Sequence, residues 1–200
     1  MRTAELRDRQ RARCCDVLAS VAPTSPTLCD GWDAHDLAVH LWALSHDPLS
    51  WAGMVPGLGG LGLRRASLLR DRWSYLDLVA RLRAEHGGFR CMPFDGLEDH
   101  RHSLGELWMH TQDVARPNAI VQGLVDPPLA EALWRRVCRA ATTLRRRLPP
   151  GLVIAVPDGR RHRVSAGGPG VLVIGEPGEL MCWVYGRRDV ADVDIVHSAP

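Results

Sequence analysis

Apolar positions recur three and four residues apart through most of residues 1–150 and fall into short strand-like runs after Pro150. That change of period predicts an α+β chain, a helical part over 1–150 followed by a small α/β module over 151–200. Residues 3–21 carry Leu6, Ala12, Leu18 and Val21 among charged neighbours, which reads as a first helix. The stretch "APTSPTLCDGWD" ends it with two prolines and a glycine. Asp33 is placed as an N-cap, with Asp36 in the first turn of the helix "AHDLAVHLWAL". A loop rich in Gly and Pro, "DPLSWAGMVPGLGGLG", follows, and helical spacing resumes at about Leu63 and runs with a kink to Glu85. The loop "FRCMPFDGLEDHRH" leads into "SLGELWMHTQDVARP", residues 103–117, and a last long helix over 127–148 stops at consecutive prolines. In the final quarter, "GLVIAV" and "RHRVSA" flank the hairpin signal Pro157-Asp158-Gly159-Arg160. "GVLVIG" reads as a strand, "EPGELMCWVYG" as a short helix closed by Gly186, and "VADVDIV" as a last strand, giving β-β-β-α-β.

Composition narrows the function classes. A hydrophobic share of 46% with 24% charged residues is that of a globular domain with a real core. The net charge of +2 is too small to draw the chain to nucleic acid or an anionic membrane. All of the basic residues are Arg, a bias that GC-rich codon usage produces. The Arg clusters are not interleaved with aromatics as single-strand binders require, so no nucleic-acid partner is expected. No apolar run reaches the roughly 18 residues of a membrane span, and "MRTAELRDRQRAR" lacks the apolar stretch of a signal peptide. A cytoplasmic protein with reduced thiols is expected. The six cysteines contain no C-x-x-C pair, which argues against a zinc ribbon or a thioredoxin-like motif. Cys14, Cys15 and Cys29 are either redox-active or, as small hydrophobes, buried and inert.

The candidate chemistry lies in "SLGELWMHTQDVARP". Glu106, His110 and Asp113 stand at i, i+4 and i+7, one polar stripe along a helix. One reading is structural: Ser103 and Glu106 form a capping box, His110 is half-buried with a backbone partner, and Asp113 pairs with Arg116. The other is a metal site, which needs a third ligand. His40, between Val39 and Leu41 on an apolar helix, must find a partner or face a pocket, because an unpaired buried polar group costs about 1–3 kcal/mol.

"PTLCDGWDAHDLAVHL", "ELWMHTQDVARP" and "GEPGELMCWVYGRRDVADV", collinear from about Pro23 to Val193, resemble the mycothiol-dependent maleylpyruvate isomerase family. That family is a branch of the DinB-like metal-binding proteins, and the likeness is greatest to its short members. The resemblance implies a DinB-like four-helix bundle with one divalent metal, usually zinc, held by His40, Glu106 and His110. It assigns Asp113 to fixing the orientation of a ligand. It implies a low-molecular-weight thiol such as mycothiol as cosubstrate, a small electrophile as substrate, and isomerisation or thiol transfer as the reaction. Arg187, in the family's Gly-Arg pair, is then a contact for an anionic substrate, and equally a cation at a helix C-terminus. Trp32 lines the pocket or packs in the core. Leu44 and Ser45 replace an Arg–Glu pair of the short members, so a role carried by that pair does not transfer. The alternative is a non-enzymatic bundle in which the metal is a structural or regulatory clamp.

Overall fold

The computed structural model describes residues 2–48, 59–90, 95–168 and 170–197. The chain divides into two compact units, Met1–Gly123 and Leu124–Pro200. Among the described residues no helix is long and apolar enough to cross a membrane.

The first unit holds α1 (Thr3–Ala19), α2 (Ala34–His46), α3 (Gly59–Arg72), α4 (Tyr75–Ala84) and α5 (Arg101–Ala115). Its core is built from Leu18 of α1, Leu37 and Leu41 of α2, Leu78 and Leu82 of α4, and Leu107 and Val114 of α5. Helix α1 packs against both α5 and α4, and α2 packs against α4. The start of α2 is fixed as the sequence predicts. The Asp36 N–H donates to the Asp33 carboxylate at 2.9 Å, and the Asp33 N–H donates back to Asp36 at 3.2 Å. Arg70 of α3 then reaches both carboxylates, at 2.6 Å each. The expected kink between Leu63 and Glu85 is a full break, because Ser74 accepts from the Asp77 N–H and starts α4 as a separate helix. Helix α3 begins at Gly59, earlier than the glycine-rich sequence suggested, while the rest of the preceding loop (49–58) lies outside the described residues.

The capping box expected at Ser103 and Glu106 is not formed. Helix α5 begins at Arg101, so Ser103 sits inside its first turn. The cap comes from Asp95, whose carboxylate accepts from the Ser103 N–H and hydroxyl, both at 2.8 Å. Asp99 and His100 reach this geometry in the left-handed region, at φ 51° and 59°. For non-glycine residues that region costs energy, which the buried Asp95 bonds offset. Glu106 is therefore not used at the helix start.

The second unit holds α6 (Pro127–Leu144), β1 (Leu152–Ala155), β2 (Arg161–Arg163), β3 (Val171–Ile174), α7 (Pro177–Val184) and β4 (Asp194–His197). The predicted β-β-β-α-β order holds, and the sheet runs β2-β1-β3-β4. Strands β1 and β2 are an antiparallel hairpin, β1 and β3 are parallel, and β4 returns antiparallel to β3. The hairpin turns at Gly159 (φ 94°), with the Asp158 carboxylate accepting from the Arg160 N–H at 2.9 Å. Helix α6 starts at the Asp126 cap and packs against α7. It therefore groups with the sheet, and the boundary between compact units falls at 123/124 instead of at 150.

Candidate metal centre

Two helices of the first unit supply the polar cluster. On α2, Leu37, Leu41 and Leu44 turn into the core and leave His40 partly covered at the edge of that face. On α5, Glu106 and His110 are one turn apart, with His110 Nε2 3.4 Å from Glu106 Oε2. The His40 and His110 rings meet edge to face, 5.0 Å between centroids. One ligand atom from each of His40, Glu106 and His110 lies within 4.8 Å of the others. Ligands about 2.0–2.2 Å from a tetrahedral ion lie roughly 3.4 Å apart, so the donor set fits a divalent cation of the zinc type after small side-chain adjustments.

Asp113, fully buried, faces the other side of the same imidazole: its Oδ2 is 3.0 Å from His110 Nδ1. A carboxylate on Nδ1 keeps a proton there and turns Nε2 toward Glu106 and His40. Burial opposes a charged His110, but the hydrogen bonds to Asp113, Cys29 and Glu106 outweigh it and hold the imidazolium well above the usual histidine range. Burial likewise works against ionised Glu106, yet His110 beside it brings its carboxyl down to about 2. His40 goes the other way. Burial and the neighbouring His110 charge lower it to about 4, so it is a neutral donor at physiological pH.

Three further residues surround the cluster. The Trp32 ring lies 5.2 Å from that of His40 and also packs on the hydrophobic core. His102, one turn before Glu106, brings Nε2 to 3.8 Å from Glu106 Oε1. Cys29, in the loop before α2, donates to Asp113 Oδ2 at 3.3 Å. The sequence places His102 in a solvated loop and offers Cys29 as a redox-active or buried thiol, and assigns neither to the cluster. His102 shares the stripe's spacing and lies on the helix because α5 begins at Arg101, two residues before the predicted start. Nothing in the local sequence connects Cys29 to Asp113.

The described cysteines are free thiols, and Cys91 lies outside the described residues. Burial raises Cys14 and pushes Cys15 and Cys138 up to about 12, which keeps them protonated and inert.

The structure thus brings His40, Glu106, His110 and Asp113 together. Arg187 stands in the second unit, in the C-terminal cap of α7. Gly186 (φ 91°) and Arg187 close that helix with N–H bonds to the carbonyls of Trp183 and Cys182, at 3.2 and 2.8 Å. The Arg187 guanidinium donates to the Tyr185 carbonyl at 2.8 Å, which is the helix-end setting that the sequence offered as one of two.

No protein-family model matches the chain, and no curated protein matches it in sequence. Among solved structures it matches the mycothiol-dependent maleylpyruvate isomerase, with a TM-score of 0.62 and 18% identity, over 98% of this chain and 93% of that one. A mutant of that enzyme with one histidine replaced by alanine matches with the same figures. At this identity the likeness establishes architecture: the chain has the fold of the mycothiol-dependent maleylpyruvate isomerase.

Proposed function

We propose that the chain is a metal-dependent enzyme that activates a low-molecular-weight thiol for isomerisation or thiol transfer on a small electrophile, with a DinB-like bundle in the helical part. The observation that carries this reading is the His40, Glu106 and His110 cluster, with its ligand atoms within 4.8 Å of one another. These three residues would hold the cation, zinc by the nature of the donors. When bound, such an ion stabilises a thiolate over a thiol at neutral pH.

The side chains are suited to that task. His40 is neutral and offers a lone pair without first losing a proton. Glu106 is ionised throughout the physiological range and supplies the negative charge. Asp113 accepts the His110 Nδ1–H and so aims the opposite nitrogen at the cluster. Arg187 is assigned to an anionic group of the substrate, for which its planar fork is suited. The thiol is mycothiol, the one named for the enzyme whose fold the chain shares.

The non-enzymatic clamp remains the second reading. It is favoured by the engagement of Arg187 with the Tyr185 carbonyl, which gives that residue a structural use. Metal content by elemental analysis, with turnover of mycothiol and maleylpyruvate, separates the two. Stoichiometric zinc with metal-dependent turnover is expected. Stoichiometric zinc with neither thiol binding nor turnover across a panel of electrophiles selects the clamp.

A further inference from the structure

The loop between α1 and α2 is more ordered than its Pro, Gly and Ser content suggests. Its ends are tied by the Ala34 N–H to the Ser25 carbonyl at 3.0 Å and by an isolated bridge between Pro26 and Asp33. Inside it, the Thr27 hydroxyl donates to the Trp32 carbonyl at 2.8 Å and accepts from the Cys29 N–H at 3.1 Å. The loop is also docked on the end of α5. The Leu28 N–H donates to the Asp113 carbonyl at 2.9 Å, and the Asn118 amide donates to the Pro26 carbonyl at 2.9 Å. Cys29 is thereby held with its thiol against the Asp113 carboxylate.

One carboxylate oxygen, Asp113 Oδ2, takes both the Cys29 thiol at 3.3 Å and His110 Nδ1 at 3.0 Å. The terminal torsion of an aspartate is broad, so its own rotamer preference does not fix the carboxylate plane. Two donors arriving from different elements do fix it. We infer that Cys29 is a positioning residue: through Asp113 it sets the plane and the Nδ1 proton of His110, and so the aim of His110 Nε2 at Glu106 and His40. This deepens the metal-centre reading and rests on it. A thiol is a weak donor, so its contribution is smaller than that of Asp113 itself.

A rival arrangement uses the same atoms. Cys29, His110 and Asp113 also offer ligand atoms within 4.8 Å of one another. A cation held there would take His110 Nδ1 in place of Nε2, and Cys29 would be a ligand.

Three measurements on the full chain decide. The first is the His110 Nδ1–H resonance of the metal-free protein, which should be sheltered from solvent exchange in the wild type. It should exchange markedly faster in Cys29→Ala and recover its shelter in Cys29→Ser, which restores a donor. The second is zinc affinity by chelator competition. Cys29→Ala should lose up to about 10-fold and Asp113→Asn about 10–100-fold. The double variant should lose clearly less than the two single losses combined, because both residues act on the same imidazole. The third is the spectrum of the cobalt(II)-loaded wild type, in which no sulfur-to-metal charge-transfer band is expected. Such a band would make Cys29 a ligand and overturn the inference. Additive losses in the double variant, or an Nδ1–H unchanged by Cys29→Ala, would overturn it as well. A wild type that binds no zinc would defeat the metal-centre reading, yet the Nδ1–H comparison would still decide whether Cys29 positions His110.

Discussion

Helices α5 and α7 are both interior helices, and they are buried on different terms. Seven of the eight residues of α7 are buried, Leu180, Met181, Cys182, Trp183 and Val184 among them; the eighth, Glu179, accepts from the Asp192 N–H at 2.9 Å, and Gly186 and Arg187 form the cap. Helix α5 buries twelve of its fifteen residues, including Ser103, His110, Thr111, Gln112 and Asp113. Each of these five polar groups must be matched by a partner to avoid a cost of about 1–3 kcal/mol. Asp95 serves Ser103, Gln10 serves Thr111, and Asp113 and His110 serve each other, while Gln112 accepts from Arg116 at 3.2 Å and leaves its buried amide nitrogen unmatched among the described residues. A helix needed only for stability would follow the α7 pattern. The buried polar stripe of α5 is what a site requires and a core does not.

The sharpest way to break this contrast is His110→Ala. It removes the residue that faces Glu106 on one side and Asp113 on the other, and zinc binding measured by chelator competition should be abolished. The matching change in α7, Leu180→Ala, should destabilise the fold by about 2–5 kcal/mol in denaturant unfolding. It should leave zinc affinity per folded chain unchanged. Equal loss of zinc binding in both variants would erase the distinction between the helices.

Asp113→Asn comes next, with an expected loss of about 10–100-fold in metal affinity and no loss of stoichiometry. The pH dependence sharpens it. His110 has a raised pKa in the metal-free site, so a cation must displace a proton from it. Zinc affinity should rise about tenfold per pH unit up to that raised pKa and level off above it. His40, lowered to about 4, adds nothing to the slope at neutral pH. In Asp113→Asn the levelling should begin at lower pH, because the partner that holds the imidazolium is weakened. A pH-independent affinity in the wild type would contradict the ion-paired description of His110.

The smallest expected effect concerns the cap of α2. Asp33→Ala removes the α2 cap and should cost about 1 kcal/mol in thermal or denaturant unfolding. In the wild type, Asp33 is lowered from 3.8 to about 2, chiefly by Arg70. Its folded-state pKa lies below the unfolded value. That contribution is therefore present above about pH 4 and lost as pH falls through 2. The variant should lack this acid-dependent component.

Local chemistry was legible in the chain, and distant partners were not. The Asp33–Asp36 cap, the turn at Gly159 and the stripe of Glu106, His110 and Asp113 along one face of a helix depend on neighbours within a few residues, where spacing fixes geometry. The cap of α5 failed because it comes from Asp95 across a turn with two left-handed residues, a conformation that Asp99 and His100 do not announce. The link from Cys29 to Asp113 was not legible because the two stand 84 positions apart. The boundary at 123/124 was hidden for a related reason. An amphipathic helix such as α6 shows the same period whatever it packs on, and its partner α7 arrives only after three strands.

The most direct test of the central claim is zinc content per chain after exhaustive dialysis, for the wild type and for His40→Ala, Glu106→Gln and His110→Ala. The expected result is one equivalent in the wild type and loss from each variant, with folding verified by circular dichroism. A wild type without zinc, or folded variants that all retain a full equivalent, would contradict the assignment of these three residues to one metal centre.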